Sequence, residues 1–398
     1  MSSERVELGN RSLFPELEAD AYLSHAGISP VSAPVARAIE NVARDYARAG
    51  QAAFPNWLAQ RQRLREKLAQ LVGASSQDIA LVGGTTRGIS ELALCMPWKA
   101  GDTVLLFDGE FPANVSPWQS VAKLFGLKLC FLPKPDPFLE EDALLAPLAA
   151  ALARGARLVA VSAVEFQTGL RMPLAAMSAL CHAHGAELAV DGIQACGLLP
   201  LDVATLDLDY MVGGAHKWLM GIEGAGFVYV KPECTRRLEP RTAGWLSHVE
   251  GTRFLFEGPG ELRYDRPVKP GVQFMEAGST SAISFAALEA GLDPLRELSP
   301  SAIFAHVSGY LDELALGLAE RGLTTLRSPY PERRSGILSV VPPPGTRAAD
   351  LVTALAKRRI VAATPDGLLR FAPHFPNSRA EIPLVLGALD EALGSLRS

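Results

Sequence analysis

The chain has 398 residues, 48% of them hydrophobic and 20% charged, with a formal net charge of -5; that is enough for a large core in two domains, or in one large domain with a smaller companion. The balance excludes a basic nucleic-acid-binding surface, since no lysine or arginine block exceeds a short cluster such as Glu332 to Arg334. The polar start MSSERVELGN does not read as a secretory signal, ALLAPLAAALA from Ala143 is too short and proline-broken to span a bilayer, and five scattered cysteines without a CxxC describe neither a disulfide framework nor a zinc site. The expectation is a soluble cytoplasmic protein without nucleic-acid or membrane partner, without metal, and with Cys95, Cys130, Cys181, Cys196 and Cys234 reduced.

In chain order, WLAQRQRLREKLAQLV (57–72) predicts a helix, and IALVGGTTRGISELAL predicts a strand, a glycine turn and a second helix. The runs DTVLLF, LKLCFLP, RLVAVSAV, AELAVDG, DYMVGG and GFVYV follow as strands between helical stretches. This rhythm is that of an α/β protein with a doubly wound, mostly parallel sheet. Residues 241–278 are rich in glycine, proline and charge and read as a long irregular segment, a kind that is usually functional or disordered. Beyond Ser281 the pattern changes to long helical runs, the strand SGILSVVP, a helix at AADLVTALAKRR, a strand ending in LLRFAP and a terminal helix. A smaller α+β domain is expected there, with residues 20–285 forming the large domain and residues 1–19 and 286–398 the small one.

Asp191 ends the strand AELAV, and Lys217 sits in a glycine-rich turn after the next strand, DYMVGG. In an open parallel sheet both fall at the carboxyl edge, where such folds bind ligands. A lysine there can carry pyridoxal phosphate as a Schiff base, and an aspartate one strand away can keep its pyridine nitrogen protonated. Taken alone, each has an ordinary reading: a surface lysine, and an aspartate capping a turn. The turn Gly83-Gly84-Thr85-Thr86 adds a third anchor, because backbone N–H groups and hydroxyls at a helix start can hold a phosphate. It is neither a Walker loop nor a dinucleotide fingerprint, and many such turns only turn the chain.

The segments TTRGISELA, EFPAN (110–114), DGIQ (191–194), GAHKW (214–218), EAGST (276–280) and LRFAPHFPN (369–377), in this order over nearly the whole chain, resemble the class V aminotransferases. That group of fold-type I enzymes includes cysteine desulfurases, isopenicillin N epimerase-like proteins and kynureninases. The resemblance implies a pyridoxal 5'-phosphate enzyme with Lys217 as the Schiff-base lysine, Asp191 at the pyridinium nitrogen, and Gln194 donating to the phenolic oxygen. Catalytic roles fall on Lys217, Asp191 and His216. Gly84, Thr85, Thr86 and His216 would hold the phosphate, Phe111 would stack on the ring, and Ser279 would reach the phosphate from the neighbouring subunit of a homodimer with a shared active site. Arg370 would grip the substrate carboxylate, with His25 beside the substrate. The residue types suit these roles: an ionised aspartate can keep a ring nitrogen protonated, and a guanidinium fork binds a carboxylate through two parallel hydrogen bonds. Arg370 as a plain salt bridge, His216 as a packed histidine and Phe111 as a core residue stay open on the residues alone.

Two departures narrow the chemistry. Desulfurases carry a histidine where Phe111 stands, and phenylalanine can stack but not move protons. They also carry a nucleophilic cysteine on the loop before the carboxylate-binding arginine, and IVAATPDGLLR (360–370) has none. Ala163, after Val161-Ser162, replaces an asparagine or histidine that often bonds the phenolic oxygen. The expected reaction is therefore transamination or β-elimination at an α-amino acid, such as carbon–sulfur lysis. Epimerisation of the isopenicillin N type and kynureninase-like cleavage, which Gly244-Trp245 and His248 faintly resemble, remain as alternatives, and so does cofactor binding without turnover.

Overall fold

The computed structural model describes residues 6–397. Seven strands form the central sheet in the spatial order Ile79–Val82, Gly226–Val230, Tyr210–Gly214, Glu187–Asp191, Leu158–Ser162, Thr103–Phe107, Lys128–Leu132. Gly226–Val230 runs antiparallel to both neighbours, and the other pairs are parallel, giving the mixed α/β, mostly parallel sheet read from the sequence. Its central strands Glu187–Asp191 and Tyr210–Gly214 are buried at every residue, which explains why their sequences are continuous apolar runs rather than alternating ones.

Register places the functional side chains. Ser162 lies opposite Asp191, and Asp191 opposite Val212, so the parallel strands end level with one another at one edge of the sheet. Helix Thr85–Cys95 leaves the neighbouring strand through Gly84, whose φ of 134° is a conformation that side-chain-bearing residues rarely adopt. One turn on, a Cβ at Gly88 would come within 2.6 Å of Val212 and 2.9 Å of Val228. The glycine lets this helix lie directly on strands Tyr210–Gly214 and Gly226–Val230 and fixes where its N-terminus points.

The C-terminal part holds an antiparallel sheet of Leu369–Phe371, Leu338–Val341 and Thr324–Thr325, in that order, with helices Pro300–Glu320, Ala348–Lys357 and Ile382–Arg397. The strand Ala21–Tyr22 pairs in parallel with Ile360–Val361, so the segment before residue 24 is tied to the C-terminal elements. The long helical run after Ser281 divides into Ala282–Leu298 and Pro300–Glu320 at Ser299, whose φ is 67° and whose hydroxyl caps the second helix at Ala302 N. Helix Ala33–Ala49, which the sequence reading did not include, is strongly amphipathic, turns Val35 and Val42 inward, and starts at Ser32, whose hydroxyl accepts from Val35 N. Residues 241–278 contain only short helical turns, as their composition implies. Among the described residues no helix is long and apolar enough to cross a membrane.

Candidate active site

A cavity of about 820 Å³ opens at the carboxyl edge of the sheet. Its lining brings together Gly84, Thr85, Thr86, Phe111, Asp191, Gln194, His216, Lys217 and Arg370, residues from five separate stretches of the chain.

Lys217 is held by its neighbours in sequence. Trp218 is fully buried, and its indole N–H donates to Gln194 Oε1 at 2.9 Å. The Trp218 carbonyl lies 3.0 Å from His374 Nε2, and the Lys217 carbonyl accepts from the Ser29 hydroxyl at 2.6 Å. These bonds fix the backbone and leave the amine to the cavity. Burial lowers the Lys217 amine to about 8; the Asp191 charge opposes that shift, and Arg370 adds to it.

Asp191 is 2% exposed, and its Oδ1 accepts from Ile193 N at 2.9 Å. Burial raises its carboxyl to about 6, against the pull of that hydrogen bond and of Lys217. The Gln194 amide nitrogen donates to Ala26 O at 3.0 Å, which uses one of its two hydrogens. At the start of helix Thr85–Cys95 no side chain caps the first turn, and the buried Thr85 hydroxyl has no hydrogen-bond partner. Uncapped N–H groups beside an orphaned hydroxyl are a fitting seat for an anion.

Phe111 is exposed, meets Phe166 edge-on with centroids 5.3 Å apart, and its ring centre lies 5.6 Å from Lys217 Nζ. It is therefore a cavity wall rather than a core residue. Arg370 reaches the cavity from strand Leu369–Phe371. Its Nη1 donates to Phe166 O at 2.8 Å, its Nε is buried without a partner, and it forms no ion pair among the described residues. Burial lowers it to about 10, with Glu165 opposing. The plain salt-bridge reading of Arg370 does not hold here. His216 is half-buried at the cavity, its imidazole held below the usual range by burial and then by Lys217.

His25 lies elsewhere, and Ser279, which the resemblance assigns to the neighbouring subunit's site, stands apart from the cavity of its own chain. His25 is 1% exposed and outside the cavity lining; its Nδ1 lies 2.8 Å from the Ser29 hydroxyl, and its ring packs edge-on against Tyr22 and His374. It stands behind the Lys217 turn, a place set by aromatic packing, while the next residues Ala26 and Gly27 line the cavity. Ser279 is exposed and does not line the cavity of its own chain. Gly244, Trp245 and His248 also lie outside the lining.

The sequence reading missed Glu110, although it stands in the same EFPAN segment as Phe111. Its Oε1 accepts from Ser162 N at 2.7 Å, and its Oε2 accepts from the Ser162 hydroxyl at 2.5 Å and from Asn114 at 3.1 Å. Burial lifts this carboxyl to about 7, those hydrogen bonds oppose the rise, and the Asp191 charge adds to it. Glu223 and Arg87, also missed, complete the rim of the cavity.

Residues 21–368 match the family model described as Aminotransferase class-V. The chain is 32% identical over 338 residues to the isopenicillin N epimerase of Streptomyces clavuligerus, covering 83% of this chain and 84% of that one. It is 34% identical over 288 residues to a cysteine desulfurase of Dickeya dadantii, covering 70% and 65%. Among solved structures, a C-DES variant with glycine covalently linked to its PLP cofactor shares the fold with a TM-score of 0.85 at 24% identity, over 96% of this chain and 98% of that one. A match that runs from the first strand to the threshold of Arg370, laid over a cavity that gathers Thr85, Asp191 and Lys217, places the chain in the class V aminotransferase family of pyridoxal-phosphate-dependent enzymes.

Proposed function

We propose that this chain uses pyridoxal phosphate to act at the α-carbon of a free α-amino acid, by transamination or by eliminating a β-substituent such as a sulfur group. The observation that carries the reading is the convergence of Lys217, Asp191 and Arg370 on one cavity: a proton-moving amine, an acid for a ring nitrogen and an unpaired guanidinium for a carboxylate. A protein that only bound the cofactor would have no use for the last.

The residues fit the cofactor. The unpartnered Thr85 hydroxyl, with Gly84 and Thr86 at the open helix start, would take its phosphate. Asp191 would face its ring nitrogen, Gln194 its phenolic oxygen, and Phe111 would cover its ring, with His216 beside the phosphate. When bound, the cofactor accepts the electron pair left at the α-carbon as a bond there breaks. Lys217, lowered to about 8, has a far larger neutral fraction near physiological pH than an ordinary lysine and can take the α-proton and return it. Arg370 fixes the substrate carboxylate and thereby selects which α-carbon bond is broken.

Among the described residues no cysteine lines the cavity, and the buried Cys196, near Asp191 in sequence, has its thiol pushed up to about 12. Both observations weigh against a route through a protein persulfide. Epimerisation is a second reading, supported by Glu223 and His216 on the same cavity as further proton carriers and by the likeness to the S. clavuligerus protein. Ser279, exposed in its own chain, is inferred to complete the site of a second copy in a homodimer.

The test is incubation of the loaded enzyme with a panel of amino acids in D2O, followed by NMR. Oxo-acid products, with or without ammonia, are expected. A deuterated enantiomer alone would favour epimerisation, and no α-proton exchange with any amino acid would sink both readings.

A further inference from the structure

A second cavity, of about 370 Å³, lies where the hairpin after strand Leu158–Ser162 meets the loop before strand Leu338–Val341. Two arginines from these two parts of the chain line it, Arg171 and Arg333, and the Arg171 amide donates to the Arg333 carbonyl at 2.9 Å. Neither guanidinium forms an ion pair among the described residues. The Arg171 side chain has no hydrogen bond among them either. Arg333 is 4% exposed, bonds only the Leu139 carbonyl, stacks over Tyr330 at 4.6 Å, and leaves its Nε buried without a partner.

Buried cations without counter-charges are costly, and chains normally pair them. Glu141 and Glu332 also line this cavity, yet Arg171 is lowered from its ordinary value by burial alone, with no carboxylate opposing the shift. The first turn of helix Leu174–Ala183 opens on the same space without a side-chain cap, which adds to the pull on a negative charge. The remaining wall is apolar, built from Met172, Leu199, Leu201 and Leu206.

We propose that this cavity binds a small organic carboxylate with a short apolar tail, its charged end on Arg171 and Arg333 and its tail against the leucines. The site is separate from the one containing Arg370. Ala163 is one of its walls, and the adjacent Ser162 pairs with Asp191, so the ligand lies directly behind the active-site edge.

The test is calorimetric titration of 4-methylpentanoate into the cofactor-loaded Arg370→Ala protein, in which the other carboxylate clamp is removed. One saturable event per chain is expected, weakened at least tenfold by adding Arg171→Gln and blocked by adding Ala175→Trp. Ala175 is an exposed lining residue, so that second variant decides the matter if Arg171→Gln perturbs folding. No saturable binding, or binding unchanged in both variants, would overturn the proposal. Inorganic phosphate binding as tightly as 4-methylpentanoate would overturn the tail specificity.

Discussion

Asp191 and Lys217 attract one another across the cavity but do not close into an ion pair. Burial drives both towards neutrality, the carboxyl up to about 6 and the amine down to about 8, and their mutual attraction only partly restores the charges. A direct salt bridge would hold the amine protonated and occupied. Separation keeps Lys217 available as a nucleophile and base, and keeps Asp191 ionised near neutral pH for a protonated ring nitrogen.

The first prediction concerns capture of the cofactor. Only the neutral amine attacks an aldehyde, and a lysine lowered from 10.5 to about 8 is neutral above that pH. The rate at which the apoprotein takes up pyridoxal phosphate should rise with pH to a midpoint near about 8, followed by visible absorbance. A midpoint above 10 would show an ordinary lysine. Lys217→Ala should lose the borohydride-reducible link, and a link retained through another lysine would refute the assignment.

Arg370→Ala should raise KM for the amino acid with a smaller change in cofactor affinity. Loss of a charge-assisted contact costs on the order of 1.5 to 3 kcal/mol, roughly 10- to 150-fold in KM. Arg370→Lys should recover part of that, because the charge returns without the fork. If Arg370 served only its bond to Phe166 O, both variants would lower thermal stability and leave KM unchanged.

These residues were legible in the sequence because each stands at a strand end or glycine turn where fold geometry leaves few choices. Asp191, Lys217 and Thr85 follow apolar runs whose direction the parallel rhythm sets, and Arg370 closes a strand-like run. Glu110 was not legible, because its role comes from Ser162, 52 residues away, and from burial that no local pattern encodes. The burial of His25 away from the cavity was not legible for the same kind of reason: its packing against Tyr22 and His374 joins the two ends of the chain. The antiparallel course of Gly226–Val230 likewise depends on a pairing with Ile79–Val82 that no short segment reveals.

Thr85→Val should separate binding from stability. The Thr85 hydroxyl is buried and unpartnered, and such a group costs about 1–3 kcal/mol when left unsatisfied. Replacing it with a methyl group of similar shape should leave the apoprotein as stable as the parent, or more so, in thermal melts. Cofactor affinity should fall, measured by equilibrium dialysis. An apoprotein that is markedly destabilised, with affinity intact, would mean that the hydroxyl serves the fold and not a phosphate.

Glu110→Gln should change how stability depends on pH. Burial raises the Glu110 carboxyl from 4.5 to about 7, so between these values the native state holds a proton that the unfolded chain has released. Its contribution is fully present below about pH 4.5 and is lost as pH rises through about 7. The parent should therefore lose stability relative to the variant across that window, on the order of 3 kcal/mol, and the difference should level off above it. Glutamine keeps an acceptor for Ser162 N but cannot ionise, so the variant lacks this pH-dependent contribution. Chemical denaturation at a series of pH values measures the difference. A constant offset between the two proteins from pH 4.5 to 8 would mean that Glu110 is ionised throughout and that its enclosure by Ser162 and Asn114 holds it as a carboxylate.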